Sequence, residues 1–221
     1  MKTAVVVTAI PDMKWIKTYG DMCLKIIHAY FDRYNHEVRI IDKNPLNILV
    51  NHSSWLWLLG HQIFPGYDYL LYWNLDILPN KFNEDIFDSL DMNKIAMCRE
   101  VNDINKMFPH FYYNSGMVGV PKQYDQFFVD IFNRWKDNPK NWPSWEQYYV
   151  NMEIGEQKID VHEIPLKFNM FPNYDKNLAI CIHYTSSVRK EGPEPLATTA
   201  MEKHYYRLIE EGIIKQETEL L

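Results

Sequence analysis

The sequence has no apolar run of about 18 residues, the length that a membrane-spanning helix requires. The first apolar run covers only residues 3–10 and stops at Pro11 and Asp12, with no small-residue cleavage site of the kind that follows a signal peptide. We therefore predict a buried first strand there, and no integral membrane segment.

Cysteine is scarce as well. There are three, at Cys23, Cys98 and Cys181, an odd number with no Cys-x-x-Cys pair. This argues against a disulfide framework and against a structural zinc site. We expect a cytoplasmic protein, because reduced cysteines are typical of that compartment.

Basic residues do not outnumber acidic residues either. The net charge is −6 at pH 7, with lysine and arginine scattered among acidic residues. Binding to DNA or RNA needs a basic surface that neutralises phosphates, so the composition disfavours a nucleic-acid partner. Aromatic residues are abundant at 15%. We assign about two-thirds of them to the core and the rest to surfaces on which sugars or bases stack.

Hydrophobic patterns predict an α/β fold. Residues 3–10 are typical of a strand buried on both faces, residues 14–34 have the spacing of an amphipathic helix, and residues 37–41 predict a second strand. A strand–helix–strand unit of this kind places its two strands in parallel. Later strands are predicted at 69–73, 95–98, 117–120, 160–164 and 179–182, and helices at 46–63, at 122–135, from about 144 and from 201.

An acidic turn follows the third predicted strand. Asp76 lies where a buried carboxylate needs a counter-charge, and Asn74 lies on the same side of an extended chain. Carboxylate and amide oxygens are suitable ligands for Mn²⁺ or Mg²⁺. The alternative is a solvated turn or a helix cap.

A histidine follows a later apolar strand. The imidazole of His183 is a suitable ligand for Mn²⁺, and Arg189 and Lys190 follow it closely enough to neutralise a diphosphate. A structural histidine is the alternative. The turn and the histidine are thus two separate candidate metal-binding segments, far apart in sequence.

Five segments occur in an order that resembles the glycosyltransferases of the GT-A fold, especially the glycogenin-like and bacterial galactosyltransferase-like group called family 8. They are VVVTAIP, YLLYWNLDILP, YYNSGMVGV, WEQYYVN and AICIHYTSSVRK. The resemblance covers residues 3 to about 190. It implies a Rossmann-like, mixed but mainly parallel sheet flanked by helices. It also implies one domain over residues 1–200, with 201–221 as its C-terminal helix and tail.

The resemblance further implies a donor site for a nucleotide-sugar. Asn74, Asp76 and His183 take the places of the family's metal ligands, which hold Mn²⁺ on the diphosphate. The sequence departs from the family in having Asn74 in place of an aspartate, so one negative charge is lost. Glu191-Gly192-Pro193 follows the basic pair where the family has Lys-Pro-Trp, so the basic residue that meets the diphosphate is undecided.

Other donor contacts follow from the same comparison. Thr8, Ala9 and Ile10 lie where the family contacts base and ribose, and Leu75 lies within the acidic turn. Asp42 ends the second predicted strand and could accept hydrogen bonds from the base or ribose, or serve only as a turn residue. The sugar would lie against a segment whose glycine allows close approach, Asn114-Ser115-Gly116; a tight turn between strands is the alternative.

Glu146 and Gln147 match a family Asp-Gln pair that faces the sugar, so with Asn114 they are the candidate catalytic residues. A carboxylate there could act as a base or shield positive charge at the anomeric carbon. A glutamate-rich helix start is the alternative. Possible acceptor platforms are Trp55, Trp57, Trp142 and Trp145.

These features predict metal-dependent transfer of a hexose from a UDP-linked sugar to a hydroxyl of a saccharide or similar acceptor, with retention at the anomeric carbon implied by the resemblance. A nucleotidyltransferase is disfavoured because TAIPDMKW after the first strand has no glycine. A nucleotide-sugar hydrolase and a non-catalytic saccharide-binding module stay open.

Overall fold

Strands and helices alternate along the chain. The computed structural model describes residues 1–10, 14–46, 53–101, 112–136, 146–184 and 195–215. In this part the strands are β1 (Thr3–Thr8), β2 (Val38–Ile41), β3 (Tyr69–Asn74), β4 (Ile77–Pro79), β5 (Ile95–Arg99), β6 (Tyr113–Pro121), β7 (Val161–Ile164) and β8 (Cys181–His183). The α-helices are α1 (Lys14–Arg33), α2 (Gly60–Ile63), α3 (Asp125–Trp135), α4 (Glu146–Gln157) and α5 (Pro195–Glu210).

Six strands form a mixed sheet in the order β2-β1-β3-β6-β5-β7. β1 is parallel to β2 and to β3, and β5 is parallel to β7. β6 is antiparallel to both of its neighbours, β3 and β5. Five strands therefore point the same way, and their carboxyl ends meet at one edge of the sheet. The predicted parallel pairing of the first two strands is confirmed.

Alternate side chains of the sheet enter two separate hydrophobic layers. Val5 and Val7 pack on the face covered by α1 and α5, where they join Ile26 and Tyr30 of α1. Their neighbours along β1 pack on the opposite face, which is covered by α3, α4 and the 3-10 helix Ser53–Leu59. The sheet is thus buried on both faces, as its continuous apolar strands predict. Among the described residues, no helix is long and apolar enough to cross a membrane.

The sequence of helix α1 explains both its buried face and the position of its C-terminal end. The second half of its predicted apolar stripe, from Cys23 to Phe31, is buried, and the helix ends at Arg33. Asn35 adopts the left-handed conformation, with φ of 59°, and the N–H of His36 donates to the Phe31 carbonyl at 3.0 Å. Asparagine tolerates this conformation, so it ends the helix while a carbonyl of the last turn is still paired.

Three elements differ from the prediction. The described part of 46–63 is a 3-10 helix over Ser53–Leu59 that continues as α2, because Trp55 through Leu59 are all buried and leave no polar face for an amphipathic helix. The last helix begins at Pro195, a favourable first helical residue, and not at 201. β4 was not predicted, because three residues are too few for a periodic pattern.

A second, two-stranded sheet lies beside the main one. β4 and β8 are antiparallel, with Ile77 opposite His183 and Pro79 opposite Cys181. The strand predicted at 179–182 is therefore shifted, and His183 lies within it instead of after it. This small sheet joins two segments that are far apart in sequence.

Candidate active site at the carboxyl edge of the sheet

The carboxyl ends of β1, β2 and β3 lie side by side. Thr8 is opposite Asn74 of β3 and opposite Ile41 of β2. The N–H of Ala9 donates to the Ile41 carbonyl at 2.9 Å, and Asp42, the next residue, is exposed. Sequence-predicted donor residues on three strands are thus neighbours at one edge, where ligands of open α/β sheets bind.

Asn74 and Asp76 leave the sheet in different environments. Asn74 is the exposed last residue of β3, whereas Asp76 is 8% exposed between β3 and β4. Leu75, between them, is buried in the core layer of α1. Consequently the side chains of the two polar residues, and not that of Leu75, are available to a ligand.

The β4–β8 pairing brings His183 to Asp76. The N–H of Tyr184 donates to the Asp76 carbonyl at 2.8 Å, which continues the ladder past Ile77. As a result, Nε2 of His183 lies 3.5 Å from Oδ1 of Asp76. The two segments that the sequence analysis assigned to one cation are in contact at the edge of the sheet.

The His183 ring is held by packing. It is 3% exposed and stacks on Phe171, with ring centroids 5.4 Å apart and an interplanar angle of 21°. Gly116 also lies against the ring, since a Cβ there would come within 2.6 Å of Cε1. Nδ1 is buried and has no hydrogen-bond partner among the described residues. The close approach explains why residue 116 is glycine.

Asp76 and His183 have the chemistry of a divalent-metal site. An imidazole and a carboxylate are both suitable ligands for Mn²⁺, and oxygens of a bound diphosphate complete such a sphere in many nucleotide sites. Within the described ranges, no third His, Cys, Asp or Glu joins the pair to form a cluster. Asn74 is the remaining candidate protein ligand, and its amide carries no charge.

Glu100, which the sequence analysis missed, organises a buried polar network beside the metal pair. It is 4% exposed and directly follows β5. Its Oε2 accepts hydrogen bonds from Nδ2 of Asn114 at 2.9 Å and from Nε2 of Gln147 at 3.2 Å. Its sequence pattern could have been noticed, because Glu100, like Asp76, is an acidic residue that follows an apolar strand at this edge.

Glu146 is fully engaged by protein donors. Its Oε1 accepts from the Ser115 hydroxyl at 2.8 Å and from the Trp57 indole at 3.4 Å, and its Oε2 accepts from the Ser54 hydroxyl at 2.8 Å. Gln147 adds a second support, because its Oε1 accepts from the Ser115 N–H at 3.0 Å. The glutamate and glutamine at the start of α4 therefore fix Ser115 at the start of β6.

Asn114 connects this network to the metal pair. Its Oδ1 accepts from the Gly116 N–H at 2.9 Å and from Nδ2 of Asn169 at 3.0 Å. Gly116 in turn lies against the His183 ring. Asn169 and Asn151 are further members that were not predicted; Asn151 bonds the backbone of Tyr113 and Gln147. Neither asparagine belongs to a spacing pattern, so only the fold shows their positions.

The other candidates divide into two groups. Trp55 and Trp57 are 2% and 5% exposed and lie in the core layer of α3 and α4, so they offer no acceptor platform. The remaining candidates lie outside the described residues: Trp142, Trp145, Arg189 and Lys190.

Solved structures of glycosyltransferases share this architecture. A glycosyltransferase involved in glycosylation of the major capsid of PBCV-1 is 16% identical, with TM-score 0.66, over 92% of this chain and 100% of that one. The galactosyltransferase LgtC, solved with donor and acceptor sugar analogs, is 14% identical, with TM-score 0.61, over 98% of each chain. The glycosyltransferase GlyE of Streptococcus pneumoniae TIGR4 is 12% identical, with TM-score 0.59, over 100% of this chain and 67% of that one.

At these identities the likeness establishes the fold. The chain has the α/β architecture of GT-A glycosyltransferases, and this part of the expectation is confirmed. No protein-family model matches the sequence, and no curated protein sequence matches it significantly. Fold alone does not assign an activity, which has to be argued from the site.

Proposed function

We propose that this chain is a metal-dependent glycosyltransferase, similar to family 8. It would move a hexose from a nucleotide diphosphate sugar, UDP-linked, to a hydroxyl group of a saccharide or other acceptor. The proposal combines the GT-A fold with one local observation. That observation is the contact between Asp76 and His183, 3.5 Å apart, at the edge where this class of sheet binds ligands.

The metal site is assigned to Asn74, Asp76 and His183. A bound Mn²⁺ or Mg²⁺ would act as a Lewis acid that neutralises charge developing on the departing diphosphate. The β4–β8 ladder holds the two segments side by side, and the Phe171 stack holds the His183 ring before a ligand arrives. Such pre-organisation lowers the cost of binding.

The donor is assigned to the row of strand ends beside this pair. Thr8, Ala9, Ile10 and Asp42 would contact the nucleoside, since they follow or end β1 and β2. The other proposed nucleotide-sugar contacts are Asn74, Leu75, Ser115, Gly116, Arg189 and Lys190. Leu75 would act through its backbone, because its side chain is in the core.

The sugar is assigned to the Glu100 network. Asn114 and Gln147 share one carboxylate, and both reach the edge next to Gly116. Glu146 would act by positioning Ser115, because its two oxygens already accept hydrogen bonds from protein groups. Amide groups held this way can orient sugar hydroxyls and expose little charge to water.

Thermal unfolding with UDP tests the proposal. A ligand that binds only the folded state stabilises it by RT ln(1 + L/Kd), where L is the free ligand concentration, and so raises the melting temperature. We expect UDP to raise it with Mn²⁺ present, and a chelator to abolish that shift. Equal shifts with and without chelator would show that UDP binding does not depend on the metal. No shift with UDP or any other nucleotide would reject the donor site.

Product analysis separates transfer from hydrolysis. With a UDP-hexose, Mn²⁺ and a panel of saccharide acceptors, a transferase forms a new glycoside and the anomeric configuration of the product can be read directly. The proposal predicts a glycoside with retained configuration. Free hexose in equal amount with and without acceptor would favour a nucleotide-sugar hydrolase instead.

A further inference from the structure

A second pocket lies on the far side of the β4–β8 ribbon from the metal pair. Its volume is about 500 Å³, within the range of small-molecule sites. Ile182 and Tyr184 line it, and they flank His183 along the chain, so alternation along a strand directs them to the opposite face. Helix α5 forms the other wall.

Three cations line this pocket. Lys176 and Lys203 are exposed, and neither forms an ion pair with a described residue. Arg207 is held in place, since its Nη1 pairs with Glu211 and its Nη2 donates to Oδ1 of Asn80 at 2.9 Å. In a chain of net charge −6, this is a local concentration of positive charge, and among the described residues only Arg207 of the three cations has an anionic partner.

The buried floor of the pocket adds no compensating negative charge. His204 is 6% exposed, and its Nδ1 is 3.2 Å from the Tyr184 hydroxyl. Burial, followed by the nearby Arg207 cation, lowers the pKa of His204 to about 3, while the Pro79 backbone opposes this shift and Lys176 adds the smallest lowering. The ring is therefore neutral at pH 7, and the pocket stays positively charged through its lysines.

We infer that this pocket binds the phosphate group of a small anionic molecule, at a site separate from the metal pair. Lys176 and Lys203 supply ammonium donors on its rim, and lysine is a common phosphate ligand. The pocket is larger than a phosphate group and has an apolar wall at Ile182 and Ala200. It therefore fits a phosphate ester with an organic part better than a free inorganic ion.

Isothermal titration calorimetry with inorganic phosphate and with glucose 6-phosphate tests the inference, in chelator and at low ionic strength. We expect binding without any metal, tighter for the ester. Lys203→Gln should weaken binding by about five- to tenfold, and Lys203→Arg should retain it. Lys158→Gln removes the same charge from an exposed lysine outside the pocket and should leave binding unchanged.

The outcomes are separable from those of the donor site. Asp76→Asn should leave metal-free phosphate binding intact even where it abolishes UDP binding with Mn²⁺. The inference is overturned if Lys203→Gln and Lys158→Gln behave alike, or if phosphate binding requires Mn²⁺. Binding only to vesicles of phosphatidic acid in phosphatidylcholine, with none to the soluble ester, would also overturn it, because the site would then recognise a lipid surface.

Discussion

The two halves of the candidate site differ in how their polar groups are paired. In the Glu100 network, both oxygens of Glu146 and the amide group of Asn114 bond to protein partners. In the metal pair, Nε2 of His183 is 3.5 Å from the Asp76 carboxylate, and Nδ1 has no partner among the described residues. Within the described residues, the named groups of the first half are paired, although Oδ1 of the adjoining Asn169 is not, whereas the unpaired atom of the second half is a ring nitrogen of a candidate metal ligand.

This contrast indicates different functions for the two halves. A buried polar group without a partner costs about 1–3 kcal/mol, so folded proteins keep few of them and often at functional sites. A saturated network instead rigidifies the groups it contains. Substitutions in the metal pair should therefore reduce ligand binding with little loss of stability, and substitutions in the network should do the reverse.

Asp76→Asn should have the largest effect on activity. It removes the negative charge of the carboxylate beside His183 and keeps the shape of the side chain. We expect the rate of glycosyl transfer to fall by about 10²–10³-fold, as for loss of a group that stabilises transition-state charge. The melting-temperature shift caused by UDP with Mn²⁺ should disappear, while the melting temperature without ligand changes little.

Asp21→Asn is the matched control, because Asp21 is exposed on α1 and carries the same charge. It should leave both the rate and the UDP shift unchanged. If Asp76→Asn instead unfolded the protein and left the specific activity of the folded fraction intact, the contrast between the two halves would be wrong.

Gly116→Ala tests the contact between the halves. A Cβ at this position would come within 2.6 Å of the His183 ring and within 2.7 Å of Oδ1 of Asn114, so at least one must move. We expect a loss of about 1–3 kcal/mol in the free energy of unfolding, measured by denaturant titration, as for overpacking elsewhere. Affinity for UDP with Mn²⁺ should fall about tenfold.

Gly155→Ala is the control for this substitution. Gly155 lies in α4 with open space around its Cα, so alanine should stabilise the protein by about 0.5–1 kcal/mol and leave UDP binding unchanged. Normal metal-dependent binding in Gly116→Ala would show that the position of His183 does not matter.

The sequence predicts the main sheet better than the site. Apolar strands such as β1 and β3 are long and buried on both faces, so pattern alone locates them and their parallel order. The Asp76–His183 contact depends on β4, a three-residue strand with no detectable period. It could be anticipated only from the resemblance, because 107 positions separate the two residues and no local rule pairs them.

The network was harder to foresee for another reason. Glu146 looked like a free acid at a helix start, but it is buried under donors from Ser54 and Trp57, about 90 positions earlier in the chain. Burial and hydrogen-bond partners are tertiary properties, and a residue type does not reveal them. Glu100 had a local signal, its place after an apolar strand, and could have been predicted.

Glu100→Ala should have the smallest effect on nucleotide binding and the clearest effect on stability. It removes the shared acceptor of Asn114 and Gln147, so buried amide donors lose a partner and the free energy of unfolding should fall by about 1–3 kcal/mol. Affinity for UDP with Mn²⁺ should stay within about twofold, whereas the added affinity of a UDP-hexose over UDP should vanish. Glu100→Gln keeps one acceptor oxygen and should recover most of the stability, and Glu156→Ala, at an exposed position of α4, should change neither quantity. Equal losses of UDP and UDP-hexose affinity in Glu100→Ala would place the nucleotide, and not the sugar, against the network.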